Sequence, residues 1–327
     1  MSNHPDNLEI YESVGPPPGI AAVSSSQLDS SENGSDMIAG MQDISTFGIA
    51  GRIWDSSYLL DVYLRRKVDQ YTFIPPCPIP PEYFLQPKTT VTADSLISPS
   101  VSSSSPPQPP QPPIRILELG AGTGYVGITL AKRLTSDCTL ILTDLEEVVP
   151  LMEKNVALHL PDNKNISASS PSSSNDTSRQ CARVLVEPLA WGNSEHATKL
   201  LSQGKIDYII ASDLVYFPEL YPPLLQTLKE VAVVGETKVL FGYKERAPWK
   251  ESPFWEEFGR FFEIEVVRIE KIRNSKDESE DEDPVSVFGC EGGDSMYVFV
   301  ATKRSDENIL VGVDDTLTTL MMMQIGY

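Results

Sequence analysis

Short apolar runs alternate along this chain with longer segments whose apolar residues recur at helical spacing. The apolar runs are at 114–119, 138–143, 181–186, 206–212 and 238–242. Helical spacing is found at 55–68, 125–134, 146–160, 220–233 and 254–262. The run at 206–212 is apolar almost throughout, as is typical of a strand covered on both faces. Strands alternating with helices predict an α/β fold with a doubly wound, mostly parallel sheet.

Further strands are predicted before and after these alternating segments. Residues 263–269 and 296–302 predict a pair of antiparallel strands that completes the sheet at its C-terminal end. Residues 44–54 alternate around two glycines and predict a short strand or hairpin. The sequence therefore predicts seven strands in a Rossmann-like sheet, finished by a C-terminal antiparallel hairpin.

Three parts of the chain are poor in apolar periodicity. Residues 75–113 are rich in proline and serine, residues 162–180 are rich in serine and asparagine, and residues 1–43 show little apolar pattern. Such segments cannot bury a core, and we expect them to be extended or disordered. The prediction is one domain at 44–303 with two insertions, an N-terminal segment, and a tail at 304–327.

A glycine-rich turn follows the first central strand. Gly120, Gly122 and Gly124 alternate there, and glycine allows a tight turn in which the backbone comes close to a ligand. Asp144 comes twenty positions after Gly124, at the end of the next strand, where it can accept hydrogen bonds from ribose hydroxyls. This arrangement predicts a site for an adenosine-containing cofactor.

Two cofactor classes fit a turn of this kind. Residues 122–127 match G-x-G-x-x-G, which in dinucleotide folds follows the strand directly and points a helix N-terminus at a pyrophosphate. Here Gly120 and Ala121 intervene, and Glu118 lies near the strand end. A carboxylate suits the amino group or sulfonium of S-adenosylmethionine better than a pyrophosphate. We therefore favour S-adenosylmethionine, with a dinucleotide site and a purely structural turn as alternatives.

Candidate acceptor-site residues follow the run at 206–212. Ligands in such sheets bind outside the carboxyl ends of the strands. We therefore expect one crevice to bring together Ser212, Asp213 and Tyr216 with the glycine turn, with Asp144 and with Trp191. A carboxylate can hold an incoming ammonium, and an aromatic face tolerates its methylated, cationic product. The chain lacks the Asn-Pro-Pro-Tyr type of segment used on planar amides and bases. The alternative is that Asp213 caps the next turn and Tyr216 packs in the core.

These motifs occur in an order that resembles methyltransferase family 16, the seven-strand, S-adenosylmethionine-dependent protein-lysine methyltransferases. The matching segments are GRIWDSS from 51, LELGAGTG from 117, TDLE from 143, WG from 191 and SDLVY from 212. YKER from 243 also resembles a family segment. The resemblance is closest to the branch whose members modify Hsp70-type chaperones, the valosin-containing ATPase and, in fungi, translation elongation factor 1-alpha.

The resemblance implies roles for individual residues. It implies cofactor contacts at Trp54, Gly120, Ala121, Gly122, Asp144, Trp191 and Ser212. Asp213 and Tyr216 occupy the acidic and aromatic positions next to the acceptor nitrogen. The implied partner is a protein, with elongation factor 1-alpha favoured and an Hsp70-type chaperone next. The alternatives are methylation of another nitrogen or a small molecule, a non-catalytic interaction protein, and a nicotinamide-dependent oxidoreductase.

The composition of the chain excludes several classes of partner and binding site. The formal net charge is −20, from 46 acidic and 26 basic side chains, which argues against a nucleic acid as the main partner. Four separated cysteines and three scattered histidines indicate neither a disulfide framework nor a zinc site. No signal-peptide pattern or membrane-spanning apolar run is present. We expect a soluble, monomeric, cytoplasmic protein, and we interpret the acidic run at 276–283 as a solvated loop.

Overall fold

A computed structural model describes residues 11–18, 20, 34–66, 71–86, 112–161, 163, 181–272, 285–290 and 295–311. Its helices are α1 (Gly34–Met41), α2 (Ile44–Phe47), α3 (Asp55–Leu64), α4 (Tyr125–Ala131), α5 (Val149–His159), α6 (Ser194–Leu201), α7 (Tyr221–Val231) and α8 (Pro248–Phe261). Its strands are β1 (Tyr71–Ile74), β2 (Ile114–Leu119), β3 (Cys138–Asp144), β4 (Arg183–Pro188), β5 (Tyr208–Ser212), β6 (Lys238–Lys244), β7 (Phe262–Val266), β8 (Arg268–Lys271), β9 (Val285–Val287) and β10 (Met296–Lys303).

The central sheet has seven strands in the order β4-β3-β2-β5-β6-β10-β7. Strands β2 to β6 pair in parallel, and β10 runs antiparallel to both of its neighbours. The predicted α/β, Rossmann-like class with a C-terminal antiparallel pair is therefore confirmed. The chain reverses its direction of winding between β2 and β5, and the crevice outside their carboxyl ends is where ligands bind in such sheets.

Side chains that alternate along the strands form a core on each face of this sheet. On β6, for example, Leu240 packs in one apolar cluster, whereas Val239 and Phe241 pack in the other. The first cluster includes side chains of α3 and α4, and the second includes side chains of α7 and α8. Because successive side chains of a strand point to opposite faces, this division places helices on both sides of the sheet.

A second, smaller sheet has the order β1-β8-β9, with both pairs antiparallel. The prediction of one continuous strand over 263–269 is wrong at its end, because β7 stops at Val266 and β8 belongs to the smaller sheet. The backbone N–H of Val267, between the two strands, donates to the Val298 carbonyl at 2.8 Å. This segment therefore connects the two sheets.

The prediction of a strand or hairpin at 44–54 is also wrong. The segment forms α2 and a 3-10 turn at Gly48–Gly51. The side chain of Asp43 accepts a hydrogen bond from the backbone N–H of Thr46 at 3.1 Å, which caps the start of α2. Gly51 lies against the backbone of Asp43, and a side chain there would collide with it. The glycine spacing therefore reflects a compact helical turn.

Two segments that we expected to be unpacked are packed in part. In the proline-rich stretch, Cys77, Ile79 and Tyr83 are buried. Near the N-terminus, Ile20 and Met41 are buried in the same apolar cluster. The predictions for 1–43 and 75–113 are therefore wrong for these residues. Residues 87–111, most of 162–180, the acidic run at 276–283 and the tail from 312 lie outside the described residues.

Candidate active site

A cavity of about 240 Å³ lies at the carboxyl ends of β2, β3 and β5. Ten of the eleven predicted site residues line it: Trp54, Glu118, Gly120, Ala121, Gly122, Asp144, Trp191, Ser212, Asp213 and Tyr216. Gly124 does not line the cavity. A Cβ on Gly124 would lie 3.0 Å from Leu142 Cδ1, so this glycine serves packing beneath the turn. The structure thus brings the sequence motifs together from distant parts of the chain.

The turn after β2 requires glycine at each of the three predicted positions. Gly120, Gly122 and Gly124 have φ angles of 57°, 54° and 74°, which is the left-handed region. A Cβ on Gly120 would lie 2.7 Å from Leu214 Cδ2, and one on Gly122 would lie 2.8 Å from the carbonyl oxygen of Ala50. Gly120 and Gly122 therefore form a tight backbone turn at the cavity, which we call the glycine cradle, and side chains at these positions would collide with the surrounding protein.

Asp144, at the end of β3, holds this turn in place. One carboxylate oxygen accepts from the backbone N–H of Gly122 at 2.8 Å, and the other accepts from that of Leu145 at 2.8 Å. Burial raises the pKa of the Asp144 carboxyl, and these hydrogen bonds oppose the rise. Each carboxylate oxygen keeps further acceptor capacity toward the cavity. Asp144 can thus order the turn and also accept ribose hydroxyls.

Glu118 lies beneath the turn and is almost completely buried. Its carboxylate accepts a hydrogen bond from the backbone N–H of Gly127 at 2.8 Å. Burial raises the pKa of Glu118 to about 8, and the Gly127 hydrogen bond opposes the rise. Without a ligand this group therefore carries a proton at neutral pH. A cationic group placed in the cavity would favour its ionised form.

Aromatic side chains form the walls of the cavity. The rings of Trp191 and Tyr216 lie 6.4 Å apart, and burial raises the pKa of the Tyr216 hydroxyl. On the opposite wall, the indole N–H of Trp54 donates to the Ile49 carbonyl at 3.0 Å. Ser212 lies between the walls, and its hydroxyl hydrogen-bonds that of Ser57 at 2.9 Å. The lining of the cavity thus combines aromatic rings with serine hydroxyls.

Asp213 has a partner that our sequence analysis did not assign. Its two carboxylate oxygens accept from the guanidinium of Arg246 at 2.7 and 2.6 Å, and Arg246 also lines the cavity. The one signal of Arg246 in the sequence was the resemblance of residues 243–246 to a family segment. That resemblance assigned no role to the arginine. The pairing joins the loop after β5 to the loop after β6, which no local pattern reveals.

Gln42 fastens the N-terminal segment beside this site. The backbone N–H of Ser13 donates to Gln42 Oε1 at 2.9 Å, and Gln42 Nε2 donates to the Ser13 carbonyl at 2.9 Å. Gln42 Oε1 also accepts from the backbone N–H of Ile53 at 3.2 Å. Beside this clasp, the guanidinium of Arg52 lies over the rings of Tyr11 and Trp54. Gln42 thus connects the N-terminal segment to a cavity wall.

For the S-adenosylmethionine site predicted from the sequence, we expect Gln42→Ala to weaken binding of this cofactor about 5- to 10-fold, because each buried polar group left without a partner costs about 1–3 kcal/mol. Isothermal titration calorimetry would measure the affinity, and limited proteolysis would show whether the segment before residue 34 becomes easier to cut. Gln226→Ala is the control, since Gln226 only bonds exposed groups such as Glu230 Oε1 at 3.0 Å. Equal affinities of the two variants would contradict a role for the clasp.

The described residues contain no group of three or more histidine, cysteine, aspartate or glutamate side chains that could hold a metal ion. Among the described helices, none is long and apolar enough to cross a membrane.

Comparisons with known proteins agree with this geometry. The chain is 33% identical over 160 residues to protein N-lysine methyltransferase METTL21A of Danio rerio, covering 49% of this chain and 62% of that one. It is 24% identical over 244 residues to protein-lysine N-methyltransferase EFM6 of Saccharomyces cerevisiae, covering 71% and 79%. It is 30% identical over 162 residues to EEF1A lysine methyltransferase 3 of Xenopus tropicalis, covering 48% and 59%.

The matched region thus spans about three fifths of the zebrafish and frog proteins and about four fifths of the yeast protein. The profile of the lysine methyltransferase family matches residues 32–261, which include both walls of the cavity. The match begins before residue 44, in agreement with the packing of Met41. By this match over more than half of its length, the chain belongs to the lysine methyltransferase family.

Proposed function

We propose that this protein is an S-adenosylmethionine-dependent protein-lysine N-methyltransferase. The observation that carries the proposal is the joint placement of the glycine cradle, Asp144 and the Asp213–Tyr216 loop around one cavity. Family membership supports the same chemistry.

The residues present fit S-adenosylmethionine. Gly120 and Gly122 line the cavity with backbone and no side chain, and Asp144 has acceptor capacity for ribose hydroxyls. Glu118 is a buried carboxyl whose ionised form a cationic ligand would stabilise. Trp54 and Trp191 offer flat apolar surfaces on the two sides of the cavity. When bound, the cofactor supplies an electrophilic methyl group on a sulfonium.

The chain's own residues position the acceptor and manage its charge. Transfer of a methyl group from a sulfonium is an in-line displacement, so alignment contributes most of what the protein can supply. Tyr216 provides an aromatic face and a hydroxyl at the cavity, and Asp213 provides carboxylate oxygens. An aromatic face tolerates the cationic, methylated amine that forms. We assign the acceptor side of the cavity to these two residues.

Translation elongation factor 1-alpha is the substrate that we propose, because one of the relatives is named for methylation of EEF1A. An Hsp70-type chaperone is the second candidate, on the sequence resemblance alone. We propose that the enzyme is a monomer, as expected from the sequence. The net charge of −20 supports a protein partner over a nucleic acid. A cytoplasmic location follows from the proposed substrate, since translation takes place there.

Incubation with labelled S-adenosylmethionine tests the proposal, using a lysate of the same organism that lacks this protein. We expect one labelled band at the size of elongation factor 1-alpha, with the methyl group on lysine by mass spectrometry. Asp213→Ala should reduce labelling by at least about 100-fold, as expected when a positioning group at the reacting atoms is lost.

Asp137→Ala is the matched control for this variant. Asp137 is an exposed residue just before the amino end of β3, whereas the cavity lies at the carboxyl end of that strand. It should label as the wild type does. A methyl group on a residue other than lysine, or a labelled band that persists in Asp213→Ala, would contradict the proposal.

A further inference from the structure

The ion pair between Asp213 and Arg246 is the most enclosed charged contact at the cavity. The Asp213 side chain is 1% exposed and that of Arg246 is 15% exposed. Both carboxylate oxygens are engaged, at 2.7 and 2.6 Å, in the two-pronged geometry that is strongest between arginine and a carboxylate. The carboxylate therefore does not face the cavity as a bare negative charge.

The backbone and a neighbouring ring fix this pair in place. Asp213 has a φ of 61°, a left-handed conformation that is uncommon for a residue other than glycine, and its N–H donates to the Gly242 carbonyl at 2.8 Å. Arg246 also donates to the Lys244 carbonyl at 3.1 Å, and its guanidinium lies 5.3 Å from the centre of the Trp54 ring. Strain of this kind is typical of functional sites.

The other charged groups around the pair are engaged with one another. Lys244 pairs with Asp55 at 2.6 Å, and Arg52 lies 3.9 Å from Asp55. Glu251 accepts from the hydroxyl of Tyr243 and from the backbone N–H of Arg246 at 3.3 Å. The remaining titratable groups that line the cavity are Glu118, Tyr125, Asp144, Glu147 and Tyr216. Among these groups, Arg246 is the cation in direct contact with Asp213.

We propose, on the basis of the proposed function, that Arg246 is a positioning residue that cancels the charge of Asp213, so that the site receives the acceptor lysine as a neutral amine. An ammonium group has no lone pair and must release its proton to solvent before it can attack the methyl group. A bare carboxylate nearby would stabilise the ammonium form and retain that proton. A paired carboxylate keeps acceptor capacity for the N–H groups of the amine, so Asp213 can still orient it.

The pH dependence of kcat, which reports groups in the enzyme–substrate complex, tests this inference. In Arg246→Gln, we expect the limb that reports deprotonation of the acceptor amine to move up by about one pH unit, because an opposite charge within a few ångströms raises the pKa of an amine by roughly that amount or more. The double variant Asp213→Asn with Arg246→Gln removes both charges, and its limb should return toward that of the wild type. Arg246→Lys keeps the charge, so its limb should stay in place although kcat falls.

A loss of kcat in Arg246→Gln by the same factor at every pH would overturn the inference, because a purely structural role acts in that way. Circular dichroism would check that each variant is folded, and Arg246→Lys carries the test if Arg246→Gln does not fold. Arg246→Lys keeps the positive charge but loses guanidinium contacts. If the limb of its pH profile moved up, the contacts and not the charge would set the limb, and the inference would be overturned.

A binding measurement separates this inference from the proposed function. Propylammonium at pH 7, with S-adenosylhomocysteine present, reports how strongly the cavity holds an ammonium group without any chemistry. Arg246→Gln should bind it about tenfold more tightly than the wild type, and the double variant should not. Equal affinity in all three proteins would overturn the role of Arg246. Failure of the wild type to methylate lysine would instead count against the proposed function alone.

Discussion

Gly122→Ala should weaken binding of S-adenosylmethionine about 100-fold, which is about 2.7 kcal/mol. Two effects combine at this position. A residue with a Cβ pays about 1–2 kcal/mol to keep the left-handed conformation of Gly122, and its Cβ would lie 2.8 Å from the backbone oxygen of Ala50. Ala50 belongs to the turn that lines the cavity, so relief of this contact changes the cofactor site itself. Calorimetric titration with the cofactor measures the loss.

Gly235→Ala is a matched control for the backbone effect. Gly235 has a φ of 71°, and a Cβ placed on it meets nothing within 4 Å. We expect Gly235→Ala to lower the free energy of unfolding by roughly 1 kcal/mol and Gly122→Ala to lower it by more, because of the added contact with Ala50. Of the two variants, only Gly122→Ala should lose affinity for the cofactor. Wild-type affinity in Gly122→Ala would show that the cradle does not touch the cofactor.

Glu118→Gln should stabilise the ligand-free protein at alkaline pH. The pKa of Glu118 is about 8 in the folded protein and 4.5 in its ordinary state. At pH values between these two, the folded protein keeps the proton on Glu118 and the unfolded protein does not. The contribution of Glu118 to stability is therefore fully present below pH 4.5 and is lost as the pH rises through 8. The loss is on the order of 3–5 kcal/mol, since each pKa unit corresponds to about 1.4 kcal/mol. Glutamine stays neutral and should escape it.

Denaturant unfolding at pH 5 and pH 9 measures the difference between the two proteins. The free energies of unfolding should be similar at pH 5, and the variant should be the more stable at pH 9. Glu219→Gln changes an exposed glutamate and should follow the wild-type curve. Parallel curves for the wild type and Glu118→Gln would show that the buried carboxyl does not control this part of the pH dependence.

The sequence was sufficient for the central sheet and most of the cavity. Buried parallel strands are nearly continuous apolar runs, so β2, β3 and β5 were visible without tertiary information. Because the carboxyl ends of parallel strands lie at the same end of a sheet, the acidic and aromatic residues that follow these strands were expected close together. The short helix α6 was missed, although Asn193, which caps it by accepting from the N–H groups of Glu195 and His196, was a readable signal.

Other features depend on partners distant in the chain. Strand β1 is held by pairing with β8 about 200 residues later, and the proline-rich stretch at 75–113 follows β1 directly. Its composition predicted the absence of a core, but three of its side chains pack into the core of the main domain. The Asp213–Arg246 contact spans two loops in the same way. Periodicity and composition describe local preferences, and they carry no information on such long-range pairs.

The position of β10 has a consequence for synthesis of the protein. This strand comes last among the described strands, yet it is inserted between β6 and β7 and bonds to both. While residues 296–303 are still inside the ribosome, β6 and β7 each have an unpaired edge, and such edges promote association between chains. A premature stop before residue 296 should therefore yield an aggregating product, and complete translation is the step that seals the sheet.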